Sequence, residues 1–204
     1  DRLPANQNMI VQPEELEGLI KAAVRAKWAF VSMDELQETC LGKAACGRLM
    51  AFTLDDGYLD NLTHAQPVFE AFRVPFCVYV TTAFPGDRVR PWWYLLEDVL
   101  LAHSSIDLPD GATVVAETLE QKDALFMRLR RHFMSDPEQS RAAMAWLTGL
   151  LPEAGSATAQ TLFLDWDQIR AVARSPLGTI GAHTHTHPAL AQQPAAEVRE
   201  EVFG

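Results

Sequence analysis

Two polar motifs, each directly after a short apolar segment, constrain the fold of this chain most. Thr53-Leu54-Asp55-Asp56-Gly57 ends the apolar run 49–54, and His183-Thr184-His185-Thr186-His187-Pro188 follows the run 179–182. Short apolar runs that end at a turn are typical of buried strands in a parallel sheet. We therefore predict an α/β fold with the motifs at the carboxyl ends of strands, where functional groups of such folds cluster.

Strands and helices alternate through most of the remaining sequence. Apolar residues at helical spacing predict helices at 13–26 and 62–72, and another buried strand is predicted at 76–80. A short strand at 28–31 precedes Ser32, which with Glu35 has the spacing of a capping box and predicts a helix that ends near Gly42. After residue 160 the alternation resumes with a helix at 165–173, the strand at 179–182 and a last helix at 194–202.

Residues 84 to about 160 interrupt this alternation. Helical patterns at 92–100, 125–133 and 141–151 predict a mostly helical insertion within one domain that spans residues 1–204. Trp92 and Trp93 open the first of these patterns. An indole ring can stack on a sugar ring, but a place in the core of the insertion is the alternative that we favour for both tryptophans.

The composition excludes several classes of protein. With 204 residues, 48% of them hydrophobic and 22% charged, the chain has the composition of an ordinary folded domain. A formal net charge of −10 argues against nucleic acid as a partner, since nucleic-acid footprints are usually basic. No apolar run is long enough to span a bilayer, so we expect a soluble protein of undetermined compartment. The three cysteines, Cys40, Cys46 and Cys77, fit neither a redox pair nor a zinc knuckle.

The adjacent aspartates are expected to have different roles. Consecutive residues of a strand point to opposite faces, so Asp55 and Asp56 cannot both bind one ion while the chain stays extended. Where the strand turns at Gly57, one carboxylate can reach a cation and its neighbour can reach the water held by that cation. Asp-Asp-Gly is also common turn chemistry, so the motif alone does not establish a site.

Three of the six histidines fall within five residues. His183 and His187 are four residues apart and share a face if the segment turns as a helix does. His183 with His185, or His185 with His187, share a face if the segment stays extended. The spacing favours a metal site over a solvent-facing polar turn but leaves the pair of ligands open. The acidic residues Glu197, Glu200 and Glu201 are interpreted as a solvated helix face.

Together the two motifs resemble those of the polysaccharide deacetylase family, the nodulation-deacetylase homology domain of the carbohydrate esterases. The first is similar to T-F-D-D-G, with leucine in place of phenylalanine, and the second is similar to H-[ST]-x-x-H-P, which selects His183 and His187. The resemblance extends over roughly residues 8 to 200.

This resemblance implies a distorted (β/α) barrel that binds one divalent metal ion, most commonly zinc, and removes acetyl groups from an N- or O-acetylated polysaccharide. By position, Asp56, His183 and His187 correspond to the metal ligands and Asp55 to the general base. A cation with three protein ligands keeps open positions for water and for the acetyl carbonyl oxygen.

Two further residues are candidates for contact with the acetylated saccharide. Thr184 is expected to orient the site through its hydroxyl, and Trp92 offers an aromatic face.

The resemblance is incomplete beyond the second motif. Family members continue with an arginine-containing stretch, an aspartate and tryptophan motif and a late histidine that acts as general acid; none follows before Gly204, and Arg90-Pro91-Trp92 precedes the second motif. We therefore expect a fragment, with the barrel incomplete at its C-terminus and the general acid absent. Without this acid, inactivity of the truncated chain is one expected outcome. A half barrel leaves strand edges exposed, so we expect self-association or low stability.

Two rival functions remain at this point. One is a non-catalytic remnant of the deacetylase fold that binds metal or sugar but lacks the general acid. The other is a different metallohydrolase, such as an amidase or phosphoesterase. A two-metal phosphoesterase needs more carboxylate and histidine ligands than the two motifs offer, so we rank it last.

Overall fold

The computed structural model describes residues 2–42, 47–86, 89–151 and 162–204. Cys46 therefore lies outside the described residues. The helices are α1 Pro4–Gln7, α2 Pro13–Arg25, α3 Met33–Leu41, α4 Gln66–Phe72, α5 Trp92–Ala102, α6 Leu119–Phe133, α7 Pro137–Gly149, α8 Trp166–Arg174 and α9 Ala195–Phe203. The strands are β1 Ala29–Phe30, β2 Leu49–Met50, β3 Phe52–Leu54, β4 Phe76–Val80, β5 Ser105–Asp107, β6 Thr113–Val115 and β7 Gly178–Ala182.

The described residues form two compact units. The first, the helical unit, contains residues 2–10, 89–151 and 188–199. The second, the sheet unit, contains residues 11–42, 47–86, 162–187 and 200–204 and includes both polar motifs. None of the described helices combines the length and the apolar character that a membrane span requires.

A parallel three-stranded sheet positions the two motifs. The strand order is β3-β4-β7, and the register places Thr53 opposite Cys77 and Cys77 opposite Thr179. The predicted strand 49–54 is divided at Ala51, because β2 pairs with β1 while β3 pairs with β4. Since β3 and β7 flank β4 and run in the same direction, the residues that follow them meet at one edge of the sheet. The α/β class is confirmed, and the barrel stays a prediction.

One face of this sheet forms the core of the sheet unit. Phe76, Val78 and Val80 of β4 point to this face, as alternate residues of a strand do, and are almost completely buried. The helices α2, α4 and α8 supply four more buried members of the cluster, Ile20, Phe69, Ile169 and Val172, and the segments beside them supply Val74 and Leu164. The helices thereby hold the strands that carry the motifs.

The predicted helix starts depend on local side-chain hydrogen bonds. Ser32 accepts a hydrogen bond from the Glu35 N–H, and Glu35 accepts one from the Ser32 N–H, so the predicted capping box is present. The helix predicted at 62–72 begins as a π-helix over Asn61–Ala65 and continues as α4. It ends where Arg73 adopts a left-handed conformation with φ of 56°.

The helical unit has its own apolar core, formed mainly by α5, α6 and α7. The structure also contains an antiparallel pair of short strands, β5 and β6, which the sequence analysis did not predict. Each strand has three residues, too few for a clear alternating pattern, although Gly111 at φ of 83° marks the turn between them. Whether the segment 84–160 is an insertion into a deacetylase domain stays a prediction.

A matched pair of glycine substitutions tests the packing of β7. A Cβ at Gly178 would lie 2.6 Å from the Val172 carbonyl oxygen, so we expect Gly178→Ala to destabilise the protein by about 1–3 kcal/mol. Gly18 is exposed in α2 with no neighbouring atom within 4 Å of an added Cβ, so Gly18→Ala should stabilise it by roughly 0.5–1 kcal/mol. Denaturant unfolding of both variants measures these changes, and equal stabilities would show that the start of β7 can shift.

The N-cap of α7 predicts a local dependence of stability on pH. Asp136 accepts hydrogen bonds from the N–H groups of Gln139 and Glu138, and chiefly the Gln139 bond lowers the pKa of its carboxyl group. The stabilisation by this cap is therefore complete above the pKa that the Asp136 carboxyl group has in the unfolded chain. It is lost as the pH falls through the lower pKa of the same group in the folded protein. We expect the unsubstituted protein to have a higher melting temperature than Asp136→Ala, and this difference should shrink on acidification. Asp136→Asn, an uncharged cap, should show no such trend relative to Asp136→Ala.

Candidate metal centre

Three side chains from the two motifs converge at the edge of the sheet. Asp56 Oδ1 lies 3.3 Å from His187 Nε2 and 3.6 Å from His183 Nε2. One potential ligand atom from each residue lies within 4.8 Å of the others. The fold thus places side chains from distant parts of the sequence close enough to share one ion.

The turn after β3 directs Asp56 toward the histidines. Asp56 and Gly57 both have left-handed backbones, with φ of 68° and 77°. Non-glycine residues are uncommon in this region, although aspartate tolerates it better than most, and those that adopt it often lie at functional sites. At Gly57 an added Cβ would lie 3.3 Å from a methyl group of Val80, so glycine satisfies both the conformation and the tight packing.

The histidine loop, residues 183–187, is held to the end of β4 and to the segment that follows it. The His183 N–H donates to the Val80 carbonyl oxygen at 2.8 Å, and the Thr82 N–H donates to the Thr184 carbonyl oxygen at 3.1 Å. Thr184 and His187 are left-handed, with φ of 63° and 65°. These two reversals fold the loop so that His183 and His187 both face Asp56.

Asp56 combines burial with two nearby imidazoles. Burial raises the pKa of its carboxyl group, while His187, His183 and a hydrogen bond from Tyr58 favour the ionised form and Asp55 disfavours it. Its Oδ1 atom is buried and accepts no hydrogen bond from the part of the chain that the structure describes. A buried oxygen without a donor is unfavourable unless a cation pairs with it. One carboxylate oxygen and two imidazole nitrogens form a donor set that suits zinc, so these residues fit a divalent cation.

His185, the third histidine of the motif, points elsewhere. Its Nδ1 lies 2.8 Å from the Thr82 hydroxyl, and its carbonyl oxygen accepts from the Ala83 N–H at 2.9 Å. It is not part of the cluster formed by Asp56, His183 and His187. Of the pairings that the spacing left open, the structure brings His183 and His187 together.

Asp55 lies beside the cluster with an exposed side chain. Within residues 2–42, 47–86, 89–151 and 162–204, its carboxylate makes no hydrogen bond or ion pair. Its charge contributes to raising the pKa of Asp56 and, behind burial and Cys77, the pKa of Tyr79. A free carboxylate at this position is accessible to a water molecule, and its role as general base stays a prediction.

The two candidates for substrate contact lie in different units. The Thr184 hydroxyl accepts a hydrogen bond from the His187 N–H at 3.1 Å, which supports an orienting role. Trp92 belongs to the helical unit, where its ring stacks on Phe133 with centroids 4.7 Å apart and planes 7° apart. This is the contact of a core residue, and contact of either side chain with a saccharide stays a prediction.

Several residues at the centre were not identified from the sequence. The Tyr58 ring stacks on Phe163 with centroids 4.8 Å apart, and the Phe84 ring lies 6.3 Å from the His187 ring, which gives the site an aromatic side. The interpretation of Glu201 as part of a solvated helix face is wrong, because its carboxylate binds the histidine loop. A tyrosine directly after Asp-Asp-Gly could have been noticed, whereas Glu201 has no distinguishing pattern.

Comparison with known families matches residues 42–203 to the family described as polysaccharide deacetylase. The chain belongs to the polysaccharide deacetylase family. Its two motifs, and the candidate metal centre that they form, lie within the matched region. A search of curated proteins finds no match.

Two solved structures are similar to this polysaccharide deacetylase family member at low sequence identity. The deacetylase domain of BpsB from Bordetella bronchiseptica has 20% identity over 88% of this chain and 49% of that one, with a TM-score of 0.44. IcaB from Ammonifex degensii has 18% identity over 93% of this chain and 87% of that one, with a TM-score of 0.37. The present chain thus spans about half the length of the Bordetella domain.

Proposed function

We propose that this chain is a metal-dependent hydrolase that removes acetyl groups from an N- or O-acetylated polysaccharide. The observation that carries the proposal is the convergence of Asp56, His183 and His187 in a chain of the polysaccharide deacetylase family. In this proposal the partner is an acetylated saccharide and the cofactor is one divalent cation, zinc by preference for this donor set.

Asp56, His183 and His187 would hold the cation through one carboxylate oxygen and two Nε2 atoms. When bound, a divalent cation of this kind polarises the acetyl carbonyl and lowers the pKa of a water molecule. The partial burial of Asp56 strengthens its electrostatic interaction with a cation, because the local dielectric is lower than in bulk water. The two histidines remain about one-third exposed, which leaves this side of the centre open to a substrate.

Asp55 is the proposed general base. It adjoins Asp56 in the chain, is exposed, and is not engaged by another described side chain, so its carboxylate is available to accept a proton from the attacking water. The negative charge of Asp55 raises the pKa of Asp56, and a cation held by Asp56 would oppose this effect and favour the ionised form of Asp56. The division of the two aspartates between proton transfer and cation binding is supported by the cluster, which includes Asp56 and does not include Asp55.

The proposal is tested by metal analysis and acetate release. The purified chain should take up one zinc ion and release acetate from acetylated chitooligosaccharides or acetylated xylan, whereas Asp56→Ala should do neither. His64 is exposed on the π-helix and outside the centre, so His64→Ala serves as the matched control and should retain both. Zinc uptake without acetate release from any substrate would favour the non-catalytic remnant.

A further inference from the structure

Glu201 of α9 contacts the loop that carries the two candidate histidine ligands. Its Oε2 atom accepts hydrogen bonds from the His185 N–H at 2.9 Å and from the Thr186 N–H at 2.8 Å. Its Oε1 atom accepts a third from the Thr186 hydroxyl. Successive N–H groups that converge on one carboxylate oxygen form a small anion-binding turn.

The other polar groups of the loop have different partners. The carbonyl oxygens of His183, Thr184 and His185 accept from the Thr81 hydroxyl, the Thr82 N–H and the Ala83 N–H, respectively. The His187 N–H donates to the Thr184 hydroxyl. The sheet edge therefore holds the carbonyl side of the loop, and Glu201 alone among the described residues holds the N–H groups of His185 and Thr186.

The two N–H groups that Glu201 binds lie between two reversals of the backbone. His185 and Thr186 lie between the left-handed residues Thr184 and His187. A left-handed conformation is costly for a β-branched residue such as Thr184, and persists only where surrounding contacts fix it. The hydrogen bonds of Glu201 to His185 and Thr186 therefore fix the left-handed conformations of Thr184 and His187. They thereby also fix the directions of the His183 and His187 side chains.

We propose that Glu201 is a positioning residue for the metal centre. Its carboxylate holds the histidine loop in the conformation that presents His183 and His187 to the ion bound with Asp56. This inference rests on the proposed function, since it takes the three residues as metal ligands. Glu201 acts through the backbone of the loop and not through contact with the ion or the saccharide.

Two conservative substitutions separate this role from a general effect of negative charge. Glu201→Gln keeps the reach of the side chain, and its amide oxygen can accept from both N–H groups while its amino group donates to the Thr186 hydroxyl. Glu201→Asp keeps the charge but withdraws the carboxylate by one methylene. Positioning predicts that the aspartate variant is the more defective, whereas an electrostatic effect predicts the opposite order.

Glu200 provides the matched control. It is the preceding residue of the same helix and is exposed, with no side-chain hydrogen bond or ion pair to any described part of the chain. Glu200→Asp and Glu200→Gln change composition and net charge in the same way as the Glu201 variants. Both should bind zinc as the unsubstituted chain does.

Zinc affinity is measured by competition with a chromophoric chelator, together with amide hydrogen exchange at residues 185 and 186 in the metal-free protein. We expect Glu201→Asp to weaken zinc binding by roughly 10–100-fold, the range found when groups that orient metal ligands are removed. Its two amides should also exchange faster, whereas Glu201→Gln should lose much less affinity. If Glu201→Asp does not fold, Thr186→Val, which deletes one of the three bonds, should weaken zinc binding by a smaller factor.

Different results would overturn different claims. Zinc affinity in Glu201→Asp equal to that of Glu200→Asp, or higher than that of Glu201→Gln, would refute the positioning role and leave the proposed function intact. An unchanged affinity in Thr186→Val would refute it as well. Failure of the unsubstituted chain to bind zinc, with normal amide protection at residues 185 and 186, would instead refute the proposed function.

Discussion

Replacement of His183 by alanine is expected to abolish both zinc binding and acetate release. His183 supplies one of the three candidate ligand atoms that the described residues bring together, so its removal leaves a carboxylate and one imidazole of this cluster for the ion. The affinity should fall by more than the roughly 10–100-fold that follows loss of an outer-shell partner. Because the proposed chemistry depends on the cation, turnover should fall in parallel with metal content. Metal analysis and acetate release on the same preparation measure the two effects together.

His185→Ala is the informative comparison for this prediction. His185 lies two residues away in the same loop, but its ring contacts the Thr82 hydroxyl and is not part of the cluster. Its backbone bonds to Ala83 and Glu201 do not depend on the ring and should persist. We expect this variant to retain zinc, and loss of zinc equal to that in His183→Ala would mean that the ligand pair is misassigned.

The elements that carry the motifs could be predicted because their signals are local. The run Phe76–Val80 is apolar throughout, as expected for a strand covered on both faces, and Ser32 with Glu35 marks a helix start through bonds within one turn. The convergence of Asp56 with the histidines was also predictable, because residues that follow the parallel strands of one sheet meet at the same edge. The family resemblance selected His183 and His187 from pairs that spacing alone left open.

The parts that could not be predicted depend on long-range contacts or on backbone conformation. The left-handed conformations of Asp56, Thr184 and His187 have no sequence signal, since aspartate and histidine only tolerate that region and β-branched threonine disfavours it. Glu201 is one of three glutamates near the end of the sequence, with Glu197 and Glu200, and only the tertiary structure distinguishes it, by its hydrogen bonds to the histidine loop. The β5–β6 hairpin is too short for its alternation to be recognised.

Replacement of Asp55 by asparagine is expected to separate chemistry from metal binding. Asparagine has nearly the same size but cannot accept a proton at neutral pH, so turnover should fall by about 10²–10⁴-fold, the usual contribution of a general base. Zinc should stay bound, because Asp55 is outside the cluster. The charge of Asp55 raises the pKa of Asp56, so the substitution removes this effect. Its removal favours the ionised form of Asp56, which is the form that binds the cation.

The contrast between Asp55→Asn and Asp56→Asn is the strongest test of the division of roles. The two substitutions make the same chemical change at adjacent positions, so general effects on folding and net charge are matched. Asp56→Asn should lose zinc, since it replaces the buried carboxylate oxygen nearest both imidazoles. Equal zinc loss in the two variants would show that both aspartates bind the ion and that the base lies elsewhere. Full zinc occupancy with low turnover in Asp55→Asn alone would place proton transfer at Asp55, because this variant differs from the unsubstituted chain only at that carboxylate.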